Sequence, residues 1–281
     1  MAMITLVGLP GAPGATSTAL ALLRTWPLHD GRRLVLAECD PDGGAVLPGA
    51  LQSTVVADRG LRNLTESSRS AQDLVTAFWP QLIALENDEK RSERNRLLLP
   101  GLTAMHQASS LTPVWGQLAD LFTGIETHGH DVLVDLGRTG AFGPAGVLAL
   151  RADTVLVVMR GTLRSMHAAR SRIDTLRTLM DGDSGQGSSA LGVLLIRQGP
   201  YGAREVQDEL GVRVVTELPY RPEEAAVLSD GAPEGRGFMN SKLMNAARDA
   251  ATPIRQTIAT RRARVASPLQ QRLLRGASGA R

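Results

Sequence analysis

A glycine-rich turn near the start of the chain has the composition of a phosphate-binding loop. Residues 4–7 predict a short buried strand, and Gly8, Gly11 and Gly14 give the following turn the conformational freedom of a tight loop. Hydroxyl residues at positions 16–18 then open an apolar helix. Backbone N–H groups of such a loop and the positive end of the next helix attract anions. The stretch therefore predicts a site for a nucleotide phosphate.

Carboxylates follow two other predicted strands. The apolar run over 32–40 ends in Glu38 and Asp40, and the run DVLVDLG over 131–137 delivers Asp135 to the carboxyl end of a strand. Open parallel sheets bind their ligands at the carboxyl ends of their strands. Each acidic strand end alone also fits a simple solvated turn. Together with the glycine loop upstream, they favour a functional site.

The remaining apolar runs predict an α/β fold. Continuous apolar strands are typical of a parallel sheet that is covered on both faces. We predict one doubly wound, mainly parallel domain with helices on both faces over residues 1–250, followed by a basic extension over 251–281 that is helical or flexible. Residues 60–86 have a mostly helical pattern. Further strands are predicted over 97–99, 152–159, 191–196 and 212–218, and further helices over 111–125, 165–180 and 204–210.

Composition narrows the class of protein. Of the 281 residues, 43% are hydrophobic, which is typical of a folded chain, and no apolar run reaches the roughly 18 residues of a membrane span. The chain begins without a basic leader, and its single cysteine, Cys39, has no partner for an internal disulfide. These features predict a soluble protein of a reducing cytoplasm.

Positive charge is concentrated at the C-terminus. Residues 236–281 carry ten Lys or Arg against one acid, Asp249, whereas the first 235 residues carry 21 basic and 27 acidic side chains. A contact with DNA or with an anionic membrane surface is therefore expected in the tail rather than in the body. A solvated tail without a partner is the alternative.

The glycine loop resembles the deviant Walker A loop of the ParA/MinD family. In that family a signature lysine, two glycines, a variable residue, a glycine, the Walker lysine and two hydroxyl residues run consecutively. Residues 10–17 read Pro-Gly-Ala-Pro-Gly-Ala-Thr-Ser, so that Pro10 and Ala15 replace the two lysines. The two lysines of the chain, Lys90 and Lys242, lie far from the loop in sequence.

The resemblance extends over roughly residues 3–250. The loop is followed in order by the acidic second strand and by the segments LLLPG, DVLVDLG, ADTVLVV, GVLLIRQ and TELPYRP. The chain looks most like divergent actinobacterial MinD/ParA-like proteins that also lack the Walker lysine, and like localisation factors of the TadZ/CpaE type. The resemblance implies the fold of the SIMIBI class of P-loop NTPases.

By the same resemblance, ATP and Mg²⁺ would bind at the carboxyl ends of the strands. Arg197 replaces an asparagine of the family beside the base, which affects base specificity. The implied nucleotide-binding residues are Gly11, Ala12, Pro13, Gly14, Ala15, Thr16, Ser17, Arg197 and Pro219. Thr16, Asp40 and Asp135 would hold Mg²⁺ through water, and Asp40 with Glu38 would organise the attacking water.

Three functions stay open at this point. Loss of both lysines predicts weak or absent ATP hydrolysis, so the first is a positioning or scaffold protein that forms a homodimer and serves a secretion, pilus, division or partition assembly through a protein partner. The second is an active, dimerising partition ATPase that uses a surrogate cation. The third is a dinucleotide-binding Rossmann enzyme, in which Glu38 at the end of the second strand would bind a ribose.

Overall fold

The fold is built on one eight-stranded sheet. A computed structural model describes residues 3–10, 14–29, 31–54, 58–65, 71–85, 95–182 and 185–265. The strands are β1 Met3–Val7, β2 Arg33–Glu38, β3 Ile83–Ala84, β4 Arg96–Leu99, β5 His130–Asp135, β6 Thr154–Arg160, β7 Leu191–Arg197 and β8 Val214–Pro219. Their order is β3-β4-β2-β5-β1-β6-β7-β8, and all neighbours are parallel except β3, which pairs antiparallel with β4 at the edge. The predicted, mainly parallel sheet is confirmed.

Helices cover both faces of the sheet. Side chains alternate along each strand, so that Val155 and Val157 of β6 enter the core on one face, whereas Leu156 and Val158 enter the core on the other. The helices are α1 Ala15–Thr25, α2 Ala71–Phe78, α3 Trp115–Gly124, α4 Val147–Leu150, α5 Leu163–Met180, α6 Ala203–Leu210, α7 Pro222–Ser229 and α8 Lys242–Val265. Helices α3, α5 and α6 pack on the first face, and α1, α7 and α8 on the second. The doubly wound architecture is therefore confirmed.

The helical pattern predicted over 60–86 is wrong at its C-terminal end. Helix α2 stops at Phe78 and is followed by a 3₁₀ turn over Trp79–Gln81 and then by β3. Pro80, in the middle of that turn, has no N–H group to continue a helical ladder. Ile83 then pairs with β4 and so extends the sheet.

Strand β5 separates β1 from β2. It pairs with both, so that Asp135 lies opposite Leu6 on one side and opposite Glu38 on the other. Because the three strands are parallel, the turn after β1 and the acids at the ends of β2 and β5 meet at one edge of the sheet. A dinucleotide-binding sheet has the order 3-2-1-4-5-6, in which the first two strands are neighbours. The Rossmann alternative is therefore wrong.

Helix α8 crosses the boundary expected after residue 250. It runs without a break over Lys242–Val265, and Ile254 and Ile258 are buried against the body. No helix of the described residues has the length and apolar character needed to cross a bilayer. The remainder of the expected extension, 266–281, lies outside the described residues.

Arginines in the last turns of α8 bind the body of the domain. Arg261 is buried and donates hydrogen bonds to the carbonyl oxygens of Asp153 and Gln186 at 3.1 and 2.9 Å. Arg262 forms ion pairs of 2.7 Å with Glu126 and with Asp153. Part of the positive charge that the sequence assigns to a tail is therefore used in packing.

We expect Ile254→Ala to lower the free energy of unfolding by roughly 2–5 kcal/mol, because it opens a cavity where α8 meets the sheet. Gln256→Ala, on the exposed side of the same helix, is the matched control and should change stability by less than about 0.5 kcal/mol. Chemical denaturation of both variants checks this. Equal, small effects would show that the packing of α8 contributes little to the stability of the domain.

Candidate functional site

Asp135 is the central side chain of the site. It ends β5, is only 1% exposed, and accepts a hydrogen bond from the backbone N–H of Gly137 at 2.9 Å. The hydroxyl group of Thr16, in the first turn of α1, hydrogen-bonds to the same carboxylate. Burial raises the pKa of Asp135, and these two hydrogen bonds oppose the rise. The structure thus joins the start of α1 to the end of β5.

Asp40 lies beside this pair, after the end of β2. Its Oδ1 accepts a hydrogen bond from the N–H of Asp42 at 3.0 Å. Burial raises the pKa of Asp40 to about 6; the charge of Asp135 adds to the rise and that of Arg138 opposes it. Gly137 has a φ of +55°, and a Cβ atom there would lie 1.7 Å from Oδ2 of Asp40. Glycine is therefore required at 137 for the Asp40 carboxylate to lie where it does.

Glu38 lies in the wall of the site rather than in its opening. The side chain is 2% exposed, and its Oε1 accepts hydrogen bonds from the N–H groups of Ala45 and Val46 at 2.7 and 2.9 Å. Its Oε2 accepts a third from the N–H of Gly101 at 3.3 Å. Burial raises the pKa of Glu38 to about 7. The carboxylate holds the loops after β2 and β4 together, and its predicted part in orienting water stays a prediction.

The loop itself is described on either side of residues 11–13. Gly11, Ala12 and Pro13, which the resemblance implies as phosphate ligands, lie outside the described residues. Gly14 is the N-cap of α1 with a φ of +130°, no side chain caps the helix, and its first turn has no acid. Of the two positions that lack lysine, Pro10 is exposed and Ala15 is buried.

A cavity of about 270 Å³ adjoins the start of α1. Gly14, Ser17 and Thr18 form its wall on the helix side, and Ile196, Leu218, Pro219 and Leu243 give it an apolar lining. Pro219, which the resemblance implies beside a base, is thus one of the lining residues, and its contact with a base stays a prediction. Three further side chains line the cavity without being indicated by any sequence motif: Arg160, Tyr220 and Arg221.

Arg197 does not border this cavity. It is 70% exposed and its Nε lies 3.7 Å from a carboxylate oxygen of Glu217. Neighbouring residues of a strand point to opposite faces of the sheet, so Ile196 faces α1 and the cavity while Arg197 does not. The implied position of Arg197 beside a base stays a prediction.

The donor set fits a hydrated Mg²⁺ ion. No three His, Cys, Asp or Glu side chains among the described residues come together as a direct metal cage. Magnesium usually keeps several waters and takes only one or two carboxylates from the protein. The hydroxyl of Thr16 and the carboxylates of Asp40 and Asp135, gathered at one edge of the sheet, match that requirement.

Comparison with known proteins supports the fold and not a close relationship. No protein-family model and no curated protein matches the chain. Among solved structures, a ParA family ATPase from Chlorobium tepidum is similar over 89% of this chain and 98% of its own, with 15% identity and a TM-score of 0.65. MinD with Mg-ADP from Pyrococcus horikoshii is similar over 92% and 98%, with 15% identity and a TM-score of 0.64. MinD in the MinC:MinD complex of Aquifex aeolicus is similar over 91% and 96%, with the same two values.

The sheet order and the glycine loop after its central strand define a protein with the SIMIBI type of P-loop α/β fold. Within that class, the chain has the fold of the ParA/MinD ATPases, at a sequence identity that marks it as divergent.

Gly137→Ala should destabilise the protein by more than about 2 kcal/mol, because the methyl group overlaps the Asp40 carboxylate and a positive φ disfavours alanine. Gly143→Ala is the matched control, since nothing lies within 4 Å of a Cβ atom there and its φ is −123°. Thermal unfolding of the two variants makes the comparison. Two equally stable variants would contradict the packing of Asp40 on Gly137.

The raised pKa of Glu38 makes stability depend on pH. The unfolded side chain ionises near 4.5 and the folded one near 7, so the folded state holds the proton more tightly between these values. Stability is therefore lost as pH rises from about 4.5 to 7, on the order of 3 kcal/mol in total. We therefore measure the free energy of unfolding of Glu38→Gln and of wild type in EDTA. The value for Glu38→Gln minus the value for wild type should increase from pH 5 to pH 8. A constant difference between Glu38→Gln and wild type over this pH range would contradict the assignment.

Proposed function

We propose that the protein is a ParA/MinD-like positioning or scaffold protein whose site binds a nucleotide with Mg²⁺ but hydrolyses ATP weakly or not at all. The observation that carries this proposal is a contrast at one site. Thr16, Asp40 and Asp135 are gathered as a Mg²⁺ site requires, yet Pro10 and Ala15 stand where both loop lysines would be.

The missing lysines bear on hydrolysis more than on binding. A preorganised cationic or N–H donor contributes about 3 kcal/mol to a transition state, so each lost lysine slows hydrolysis on the order of 100-fold. Other features of the site still favour nucleotide binding. The uncapped N-terminus of α1 attracts phosphate, and the apolar cavity beside it has room for a base.

Similar structures support a nucleotide and a partner for this chain. The MinD of Pyrococcus horikoshii was solved with Mg-ADP, and that of Aquifex aeolicus in complex with MinC. We propose that this chain also binds an adenine nucleotide, forms a homodimer and acts through a protein partner. Contact with DNA or an anionic membrane would fall to exposed basic residues such as Arg264 and to segment 266–281, since Arg261 and Arg262 are engaged within the domain.

An active ATPase is the second candidate, and Arg138 is the observation that favours it. This residue follows Gly137, is exposed, and lowers the pKa of Asp40 through its charge. Its Cγ lies 3.4 Å from the position of a Cβ atom on Gly8, at the start of the loop. A guanidinium group there is close enough to the loop to serve as a surrogate cation on the metal side.

Phosphate release from Mg-ATP tests the proposal. Wild type should release phosphate no faster than Asp135→Asn, because the missing lysines already limit the reaction. Ala15→Lys restores a cation at the start of α1 and should raise the rate on the order of 100-fold. Ala15→Gln, of similar length without charge, is the matched control and should not.

Turnover by wild type that disappears in both Asp135→Asn and Arg138→Gln would contradict the proposal and establish the second candidate. Turnover that needs Asp135 but not Arg138 would also contradict it, and would direct the search for a cation elsewhere.

A further inference from the structure

Two arginines in the cavity beside α1 have Nε atoms without a hydrogen-bond partner. Arg160 ends β6, and Arg221 follows β8. The Nε–H group of each is buried, and no oxygen or nitrogen atom of the described residues accepts a hydrogen bond from it. A buried N–H group without an acceptor costs free energy, and more so when the group is charged. Both side chains line the same cavity as Gly14 and Ser17.

Within the part of the chain that the structure describes, neither arginine forms an ion pair with a carboxylate. The ion pairs between described residues involve other arginines, such as Arg197 of β7 with Glu217 of β8. The guanidinium carbon of Arg160 lies 5.4 Å from the centre of the Tyr220 ring. This cation–π contact does not give the Nε–H group a hydrogen-bond acceptor.

Sheet register places Arg160 next to the phosphate end of the site. Arg160 lies opposite Ile196 on β7, and the Cδ1 of Ile196 is 2.9 Å from the position of a Cβ atom on Gly14. Gly14 is the N-cap of α1, and no side chain of the described residues accepts a capping hydrogen bond from the first N–H groups of this helix. The positive end of α1 and the side chains of Arg160 and Arg221 therefore border the same cavity. The rest of its lining is largely apolar.

We propose that Arg160 and Arg221 bind the phosphate charge of the ligand in this cavity. Two lysines in the glycine loop would supply positive charge to the phosphates. Arg160 and Arg221 would supply part of that charge from the wall of the cavity. Guanidinium groups suit this task because they present several N–H donors in one plane and stay charged. The inference rests on the proposed function in that the ligand is a nucleotide, with its base against the apolar lining.

Calorimetric titration with ADP, adenosine and pyrophosphate tests the proposal. The variants are Arg160→Gln, Arg221→Gln and the double substitution, with Arg204→Gln, an exposed arginine of α6, as the matched control. Each single variant should bind ADP and pyrophosphate roughly 10- to 100-fold more weakly, since each charged hydrogen bond contributes on that scale, and the double variant should bind them more weakly still. Adenosine affinity should change less than about twofold, and Arg204→Gln should bind like wild type.

Stability without ligand gives a second readout. Because both Nε atoms lack partners, the glutamine variants should unfold at the same temperature as wild type or higher. Arg160→Lys keeps the charge and should retain more ADP affinity than Arg160→Gln. A double variant with unchanged ADP affinity would overturn the inference and leave the proposed function standing. Equal losses for adenosine and ADP would also overturn it, because they would indicate a change of cavity shape.

The remaining outcomes separate the two proposals. Arginine-dependent binding of pyrophosphate without binding of ADP would support the anion site and contradict the nucleotide part of the proposed function. Failure of wild type to bind any of the three compounds would overturn both.

Discussion

The insertion of β5 between β1 and β2 is the constraint on which the site depends. It brings Asp135 into register with Leu6 on one side and Glu38 on the other, so one buried carboxylate borders both the glycine loop and the acidic end of β2. The hydrogen bond from Thr16 to Asp135 then fixes the start of α1 against β5. A parallel sheet with another strand order would separate these groups.

Charge at this edge of the sheet is out of balance. Burial raises the pKa of Glu38 and Asp40 to about 7 and 6, and the loop contributes no lysine to offset the carboxylates. A hydrated Mg²⁺ ion would restore the balance on the side of Asp40 and Asp135. On the cavity side, the buried Nε–H groups of Arg160 and Arg221 have no hydrogen-bond acceptor among the described residues. Mg²⁺ with a bound phosphate group would complement both sides.

Much of the fold could be predicted from the sequence because its signals are local. The strand, glycine turn and helix over 4–25 and the acids at 40 and 135 are carried by short segments of apolar pattern and turn chemistry. Errors arose where tertiary context decides. The helical pattern over 60–86 ends instead in a turn and in β3, because Ile83 pairs with β4. No local sequence pattern marks Arg160 and Arg221 as site residues, because only the assembly of β6 and β8 into one sheet brings them to the same cavity.

The state of the bound nucleotide tests the central claim most directly. The protein is incubated with Mg-ATP, separated from free nucleotide and denatured, and the released nucleotide is identified by chromatography. We predict a stoichiometric amount of ATP, because the site holds a nucleotide and lacks the lysines that speed its hydrolysis. Recovery of ADP would show a hydrolysing enzyme and contradict the account, and recovery of no nucleotide would show that the fold is kept without its ligand.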